Sequence, residues 1–257
     1  MSTVFEISQY LNTCLPSSLS CDWDNDGLMV CPDPNKEVHK ILFALDITPA
    51  VVDYAKDIRA DLIISHHPLI FSGIRRMDGS NGTSRKVMDL IQSGIAAMSF
   101  HTRLDAADGG INDILASLFS LSDVAKFGAE GDDSARIGTL PQPMAFEDFC
   151  DLVKKILCAP TVCGAKAGET VSRVAVLGGS GKDYIRAAQQ MGADTFLTGE
   201  VNYNYLLETA ENGLSVVTAG HYHTEAPFFT YFERVLTEKF GTFTFVNFAK
   251  GCEFYYA

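Results

Sequence analysis

The sequence predicts an α/β protein built as two pseudo-repeated lobes with mostly parallel sheets. Three observations predict it. Short apolar runs such as Ile41-Leu42-Phe43-Ala44-Leu45 and Leu62-Ile63-Ile64 flank a stretch of helical length opened by Pro49, and strand, helix, strand at this spacing is the unit of a parallel sheet. The alternation returns in the second half, at Val174-Ala175-Val176-Leu177 and Thr195-Phe196-Leu197. In both halves apolar runs lead into metal-ligand side chains, as in Ile63-Ile64-Ser65-His66-His67 and Thr218-Ala219-Gly220-His221.

Taken in order, Val4, Ile7, Leu11 and Leu15 form one helical face that Pro16 terminates. Strands follow at 41–45 and 62–64 with a helix at 49–59 between them, then a polar loop at 72–83. A helix at 84–92, a strand at 95–100 and a helix at 110–119 complete the first lobe. Lys126 to Asp133 is polar and contains glycine, so the lobes are predicted as 1–128 and 129–257, with the functional site between them. Pro141 and Pro143 precede a helix at 146–157, and a strand at 174–177, a helix at 183–191 and a strand at 195–197 repeat the plan. A helix at 201–211, a strand at 214–218 and a long helix at 225–240 close the chain. Laid over each other, Ser65-His66-His67 matches Thr198-Gly199-Glu200 and Phe100-His101 matches Gly220-His221, an internal repeat.

Composition narrows the class of function. The chain of 257 residues is 47% hydrophobic and 20% charged, ordinary for a soluble globular protein. No run suits a membrane span and the N-terminus has no signal-peptide pattern, which predicts a cytoplasmic protein. A net charge of -12 opposes non-specific nucleic-acid binding, which needs Lys and Arg to neutralise phosphates. The seven cysteines are scattered without a Cys-x-x-Cys pair, so they are expected to be reduced and mostly small core residues.

Four of the six histidines stand in two places, His66-His67 and His221-x-His223. A fifth, His101, precedes Asp105 by four residues. At the carboxyl ends of parallel strands such residues line the ligand crevice. His221 and Glu225, i and i+4 at a helix start, reach a common ion from one face, whereas His66 and His67 are expected to diverge and serve two ions. Three imidazoles and two carboxylates without thiolate suit a dinuclear centre of zinc, iron, manganese, nickel or cobalt, with Glu225 bridging. Gly178-Gly179-Ser180-Gly181 fails both phosphate-loop patterns and reads as a tight turn. Trp23 reads either as a buried indole in a turn or as a wall of the cavity, His39 as structural, and the Phe228, Phe232, Val235, Leu236 stripe as core.

Ser-His-His-Pro, His-Thr-x-Leu-Asp-Ala-Ala-x-Gly-Gly, Thr-Gly-Glu and Gly-His-Tyr-x-Thr-Glu, with Trp23-Asp24-Asn25 before Gly27-Leu28, resemble the NGG-interacting factor (NIF-three-like) family. Many of its members carry the label GTP cyclohydrolase 1 type 2 homologue. The resemblance covers essentially the whole chain. It implies the NIF-three-like fold, a homohexamer with metal sites facing an interior cavity, and two divalent ions per subunit held by His66, His67, Asp105, His221 and Glu225. His101 and Glu200 fall in matching motifs beside those ligands. The expected function is a metal-dependent hydrolase acting on a nucleotide-like small molecule, with Glu200 or His101 moving protons. The alternative is a non-catalytic metal-handling or regulatory hexamer. Two departures stand out: Arg103 lies inside the central motif, where it is expected to alter what the cavity accepts, and Asp26 replaces a smaller or apolar residue.

Overall fold

The computed structural model describes residues 2–128 and 132–249. Backbone contacts divide them into two compact units, one of residues 2–104 and 228–249, the other of 105–227.

The first unit opens with α1 (Val4–Cys14), which buries Val4, Ile7 and Leu11 as the periodicity predicts. Its N-terminus is closed reciprocally: the Glu6 amide donates to the Thr3 hydroxyl and the Thr3 amide to the Glu6 carboxylate. Then come β1 (Gly27–Val30), β2 (Lys40–Ala44), α2 (Pro49–Asp57), β3 (Leu62–Ser65), α3 (Gly82–Gln92) and β4 (Ala96–Ser99). α4 (Thr102–Ala106) carries the chain into the second unit, which contains α5 (Ile111–Leu118), β5 (Ser122–Phe127), β6 (Ala135–Ala145), α6 (Phe146–Ile156) and β7 (Cys163–Ala165). It continues through β8 (Thr170–Ser180), α7 (Ile185–Gln190), β9 (Thr195–Glu200), α8 (Tyr203–Glu211), β10 (Ser215–Thr218) and α9 (His221–Glu225). Finally α10 (Phe229–Phe240) and β11 (Thr244–Asn247) rejoin the first unit.

The first sheet runs β1-β4-β3-β2-β11 and the second β5-β6-β8-β9-β10-β7. Each contains three sequential parallel strands, β2-β3-β4 and β8-β9-β10, with an antiparallel edge strand, β1 or β7, beside the last of them; in the second sheet β6 and β5 add antiparallel pairings on the other side, so that sheet is mixed and not mostly parallel as expected. The repeat extends to its fastenings. Asp61 Oδ2 accepts from the amides of His39 and Lys40 at 2.9 and 3.0 Å, and Asp194 Oδ2 accepts from those of Ser172 and Arg173 at 2.9 and 2.7 Å. Each aspartate thus gathers two backbone donors near the start of the preceding strand.

Several expectations change. The helix predicted over 225–240 is interrupted, because Pro227 lacks an amide to continue the ladder, and 226–228 forms a tight turn between α9 and α10. The predicted division at 128 borders 129–131, outside the described residues, whereas the compact units divide after Leu104. The chain returns to the first unit because Phe43 of β2 stacks against Phe232 and Phe245, at centroid distances of 6.2 and 5.6 Å. The cysteines are less interior than expected: Cys14, Cys21, Cys31 and Cys150 are half-buried and Cys158 and Cys163 exposed, while Cys252 lies outside the described residues.

Candidate metal centre

In the first unit the ends of β3 and β4 are tied by Ser65 Oγ to Ser99 Oγ at 2.7 Å and by the Phe100 amide to Ser65 O at 3.0 Å. Three imidazoles follow these ends. His66, fully buried, turns Nδ1 to Phe100 O at 3.0 Å, His67 turns Nδ1 to Asp46 Oδ1 at 2.8 Å, and His101 turns Nδ1 to Asp24 Oδ1 at 3.0 Å. Carbonyl and carboxylate oxygens only accept, so each Nδ1 carries a hydrogen, and in the neutral ring Nε2 then presents its lone pair. One ligand nitrogen from each of the three rings lies within 4.8 Å of the others. The predicted divergence of His66 and His67 is therefore not observed: both lie beyond the last residue of β3, in bends where strand alternation no longer operates.

Asp24 holds His101 strongly. Its buried carboxylate also accepts from the Thr102 amide at 3.1 Å and the Thr102 hydroxyl at 2.6 Å. Burial alone would raise its pKa, but the hydrogen bonds from His101 and Thr102 outweigh it and hold the carboxyl well below the usual range. The two sequence departures answer each other. Arg103 is buried and forks onto Asp26, with Nε to Oδ2 at 2.8 Å and Nη2 to Oδ1, while Nη1 donates to Asn12 Oδ1 and Leu15 O at 2.9 Å. Arg103 is thus an interior brace, which corrects the expectation that it alters what the cavity accepts. Trp23 is 60% exposed, so the buried-indole reading is also corrected.

In the second unit, Gly220 at φ +88° turns the end of β10 into α9. One helical turn then brings His221 Nε2 to 3.0 Å from Glu225 Oε2. His221 Nδ1 faces Glu200 Oε1, at the end of β9, at 3.1 Å. This is the same imidazole-on-oxygen arrangement as in the first unit. The glycine run at the end of β8 explains how the buried Glu225 fits. A Cβ on Gly179, φ +70°, would stand 2.3 Å from Glu225 Oε1 and 3.2 Å from His221 Nε2. The predicted tight turn therefore also leaves room for the carboxylate.

Asp105 lies on α4, where its carbonyl accepts from Asn112 Nδ2 at 3.2 Å; Asn112 Oδ1 in turn accepts from the Gly178 amide at 2.8 Å. That connects its backbone to the end of β8. His223 turns Nδ1 to Leu157 O at 3.3 Å, and its burial lowers its pKa. The structure brings together His66, His67 and His101 in one unit and His221, Glu225 and Glu200 in the other. The sequence reading missed Asp46 as an anchor, although it stands just past an apolar strand, as the ligands do. It also missed the glycines as space for Glu225.

The donor set fits divalent ions. Neutral imidazoles whose second nitrogen is hydrogen-bonded to oxygen are typical metal ligands, and with carboxylates but no thiolate they suit the borderline and harder cations named above. The model of the Duf34/NIF3 (NGG1p interacting factor 3) family matches residues 2–250. The chain belongs to that family. Among relatives, a Clostridium perfringens protein named GTP cyclohydrolase 1 type 2 homolog is 32% identical over 227 residues, 86% of each chain. A Streptomyces coelicolor protein of the same name is 33% identical over 240 residues, covering 88% of this chain and 83% of its own. The fold matches a Staphylococcus aureus hypothetical protein with a TM-score of 0.90 at 25% identity, over 99% of both chains. Reduced HcgD from Methanocaldococcus jannaschii matches with a TM-score of 0.84 at 28% identity, over 97% of this chain and 98% of its own. These agree with the NIF3 assignment and with a two-lobed α/β fold. Among the described residues no helix is long and apolar enough to cross a membrane.

Proposed function

We propose that this Duf34/NIF3 protein is a dinuclear metal-dependent hydrolase acting on a nucleotide-like small molecule. One observation carries the reading: His66, His67 and His221 each direct Nδ1 at an oxygen acceptor, which turns Nε2 to the ligand role, and His101 is held in the same way beside them. In this reading His66, His67, Asp105, His221 and Glu225 would hold two divalent ions, with Glu225 as the carboxylate shared between them. Such ions supply Lewis acidity to a substrate oxygen and acidify water. His101 takes a proton at Nε2, and Asp24 stabilises the resulting imidazolium through Nδ1. Glu200 orients His221 through Oε1 and exchanges a proton with solvent at Oε2. The relatives' name supports a purine nucleotide as substrate, and copies of the chain assemble as a homohexamer.

Metal quantification on untagged protein tests the centre: two ions per chain are expected, and at most one at saturation removes the bridge. On the same sample GTP ring opening is expected and is lost in Glu225→Ala. No turnover across nucleotides and phosphoesters at full metal occupancy overturns the hydrolase. A second reading, metal handling, is favoured by the partial exposure of the His67 and His221 side chains, 23% and 36%. It predicts ions that pass readily to an apo-acceptor, whereas ions resisting chelators for days argue against it.

A further inference from the structure

Trp23 and Phe71 leave more than half of their surfaces in water, at 60% and 55% exposure, although their rings lie 6.0 Å apart. Trp23 also meets His101 edge-on at 5.9 Å. Water-facing aromatic rings beside a candidate reaction centre form an apolar surface that the fold itself leaves uncovered. The surface is braced from behind. Asn25 Nδ2 donates to Ile70 O, next to Phe71, and Asp24 fixes the same loop to Thr102 and His101. The Trp23-Asp24-Asn25 motif thereby divides its labour, with one residue offering a ring, one anchoring an imidazole and one joining two loops.

Ser72, immediately after Phe71, begins the lining of a cavity of about 380 Å³ that includes Arg75, Arg76, Ser80 and Thr83. Both arginines are exposed, and neither makes an ion pair among the described residues. The neighbouring carboxylate of Asp78 accepts from the Ser80 amide at 3.0 Å. Two consecutive arginines that line one cavity and have no acid partner among the described residues, in a chain of net charge -12, are complementary to an anion that the protein does not itself provide.

We propose that Trp23 and Phe71 form a stacking shelf for a planar ring, and that Arg75 and Arg76 receive an anionic group on the same ligand, so that the substrate class is a phosphorylated aromatic heterocycle. The inference deepens the hydrolase reading by naming the residues that select the substrate. Stacking on aromatic faces tolerates any base, and arginines supply charge-assisted bonds to phosphate oxygens.

Trp23 is the single tryptophan of the chain, so its fluorescence reports the shelf directly. The experiment titrates the full chain, chelated and metal-loaded in parallel, with GTP, guanosine and inorganic triphosphate. GTP and guanosine are expected to quench, GTP at lower concentration, and triphosphate to compete with GTP without quenching. Arg75→Ala/Arg76→Ala is expected to weaken GTP about tenfold or more while leaving guanosine unchanged, and Phe71→Ala to weaken both about tenfold. No quenching by GTP or guanosine overturns the shelf, and unchanged GTP affinity in the double arginine variant overturns the anion site. Unchanged GTP affinity in Phe71→Ala, with a smaller assembly by sedimentation, makes the face a contact between copies and also overturns the shelf. Quenching by GTP in chelated protein, with no turnover by the metal-loaded protein, removes the hydrolase reading but leaves this one standing. Full metal occupancy without quenching does the reverse.

Discussion

The two units place their ligand-type side chains at the same ends of matching strands but hold them differently. In the first, three imidazoles rest on Phe100 O, Asp46 and Asp24, and the strand ends behind them are locked by Ser65 and Ser99. In the second, His221 rests on Glu200, whose side chain is 60% exposed, while Glu225 is buried against Gly178 and Gly179. The first unit therefore fixes donor directions by partners, the second by space. A repeated scaffold has been fitted out by two physical means.

Breaking the brace behind the first unit should have the largest effect. Asp26→Ala leaves the Arg103 guanidinium buried without its carboxylate, and denaturant unfolding is expected to show a loss of about 3–5 kcal/mol. Next comes space. Gly179→Ala places a methyl against Glu225 Oε1 at a positive φ, which costs about 1–2 kcal/mol from the backbone alone. Elemental analysis should find metal depleted in that variant while far-UV circular dichroism shows the fold retained. An intact metal complement would show that room for Glu225 is not what the glycine provides.

The anchors come third and can be compared directly. Asp46→Asn replaces a carboxylate that steers His67 and is expected to weaken metal affinity about 10–100-fold. Glu200→Gln, acting on His221 from a side chain 60% exposed against 46% for Asp46 and at a longer 3.1 Å, should weaken it less than about tenfold. Equal losses in competitive chelator titrations would erase the distinction between the units. The strand fastenings give the smallest expected effect, about 1 kcal/mol. Burial would raise the Asp61 pKa, but the hydrogen bonds from the His39 and Lys40 amides and from Lys36 lower it. Its contribution is thus complete above the unfolded carboxyl pKa of about 4 and disappears as pH falls through the lower folded value. Asp61→Asn should flatten this acid limb in thermal unfolding, and an unaltered pH profile would contradict the assignment.

Much of this was legible in the sequence because burial leaves a pattern. The parallel strands at 40–44, 62–65, 195–200 and 215–218 are apolar runs, buried along most of their length, and they can be seen without knowing their neighbours. Edge strands were not legible: β5 exposes all but Phe127, and β7 and β11 have no buried residue at all. Their place in the sheet comes from backbone pairing, which side-chain pattern does not encode. At the site, spacing revealed His221 with Glu225 and the strand-end positions of His66 and His101. It did not reveal that His66 and His67 would converge, because that depends on the bend after Ser65. Nor did it show that Arg103 would point inward, since its partner lies 77 positions away.

Arg103 and Asp26 also constrain how this sequence can drift. Either residue alone is a stranded charge in the interior, so a lineage that gained or lost the pair one step at a time had to pass through a poorly folding ancestor or arrive by a neutral detour. Engineers grafting this centre into another member of the family should therefore transplant both positions together.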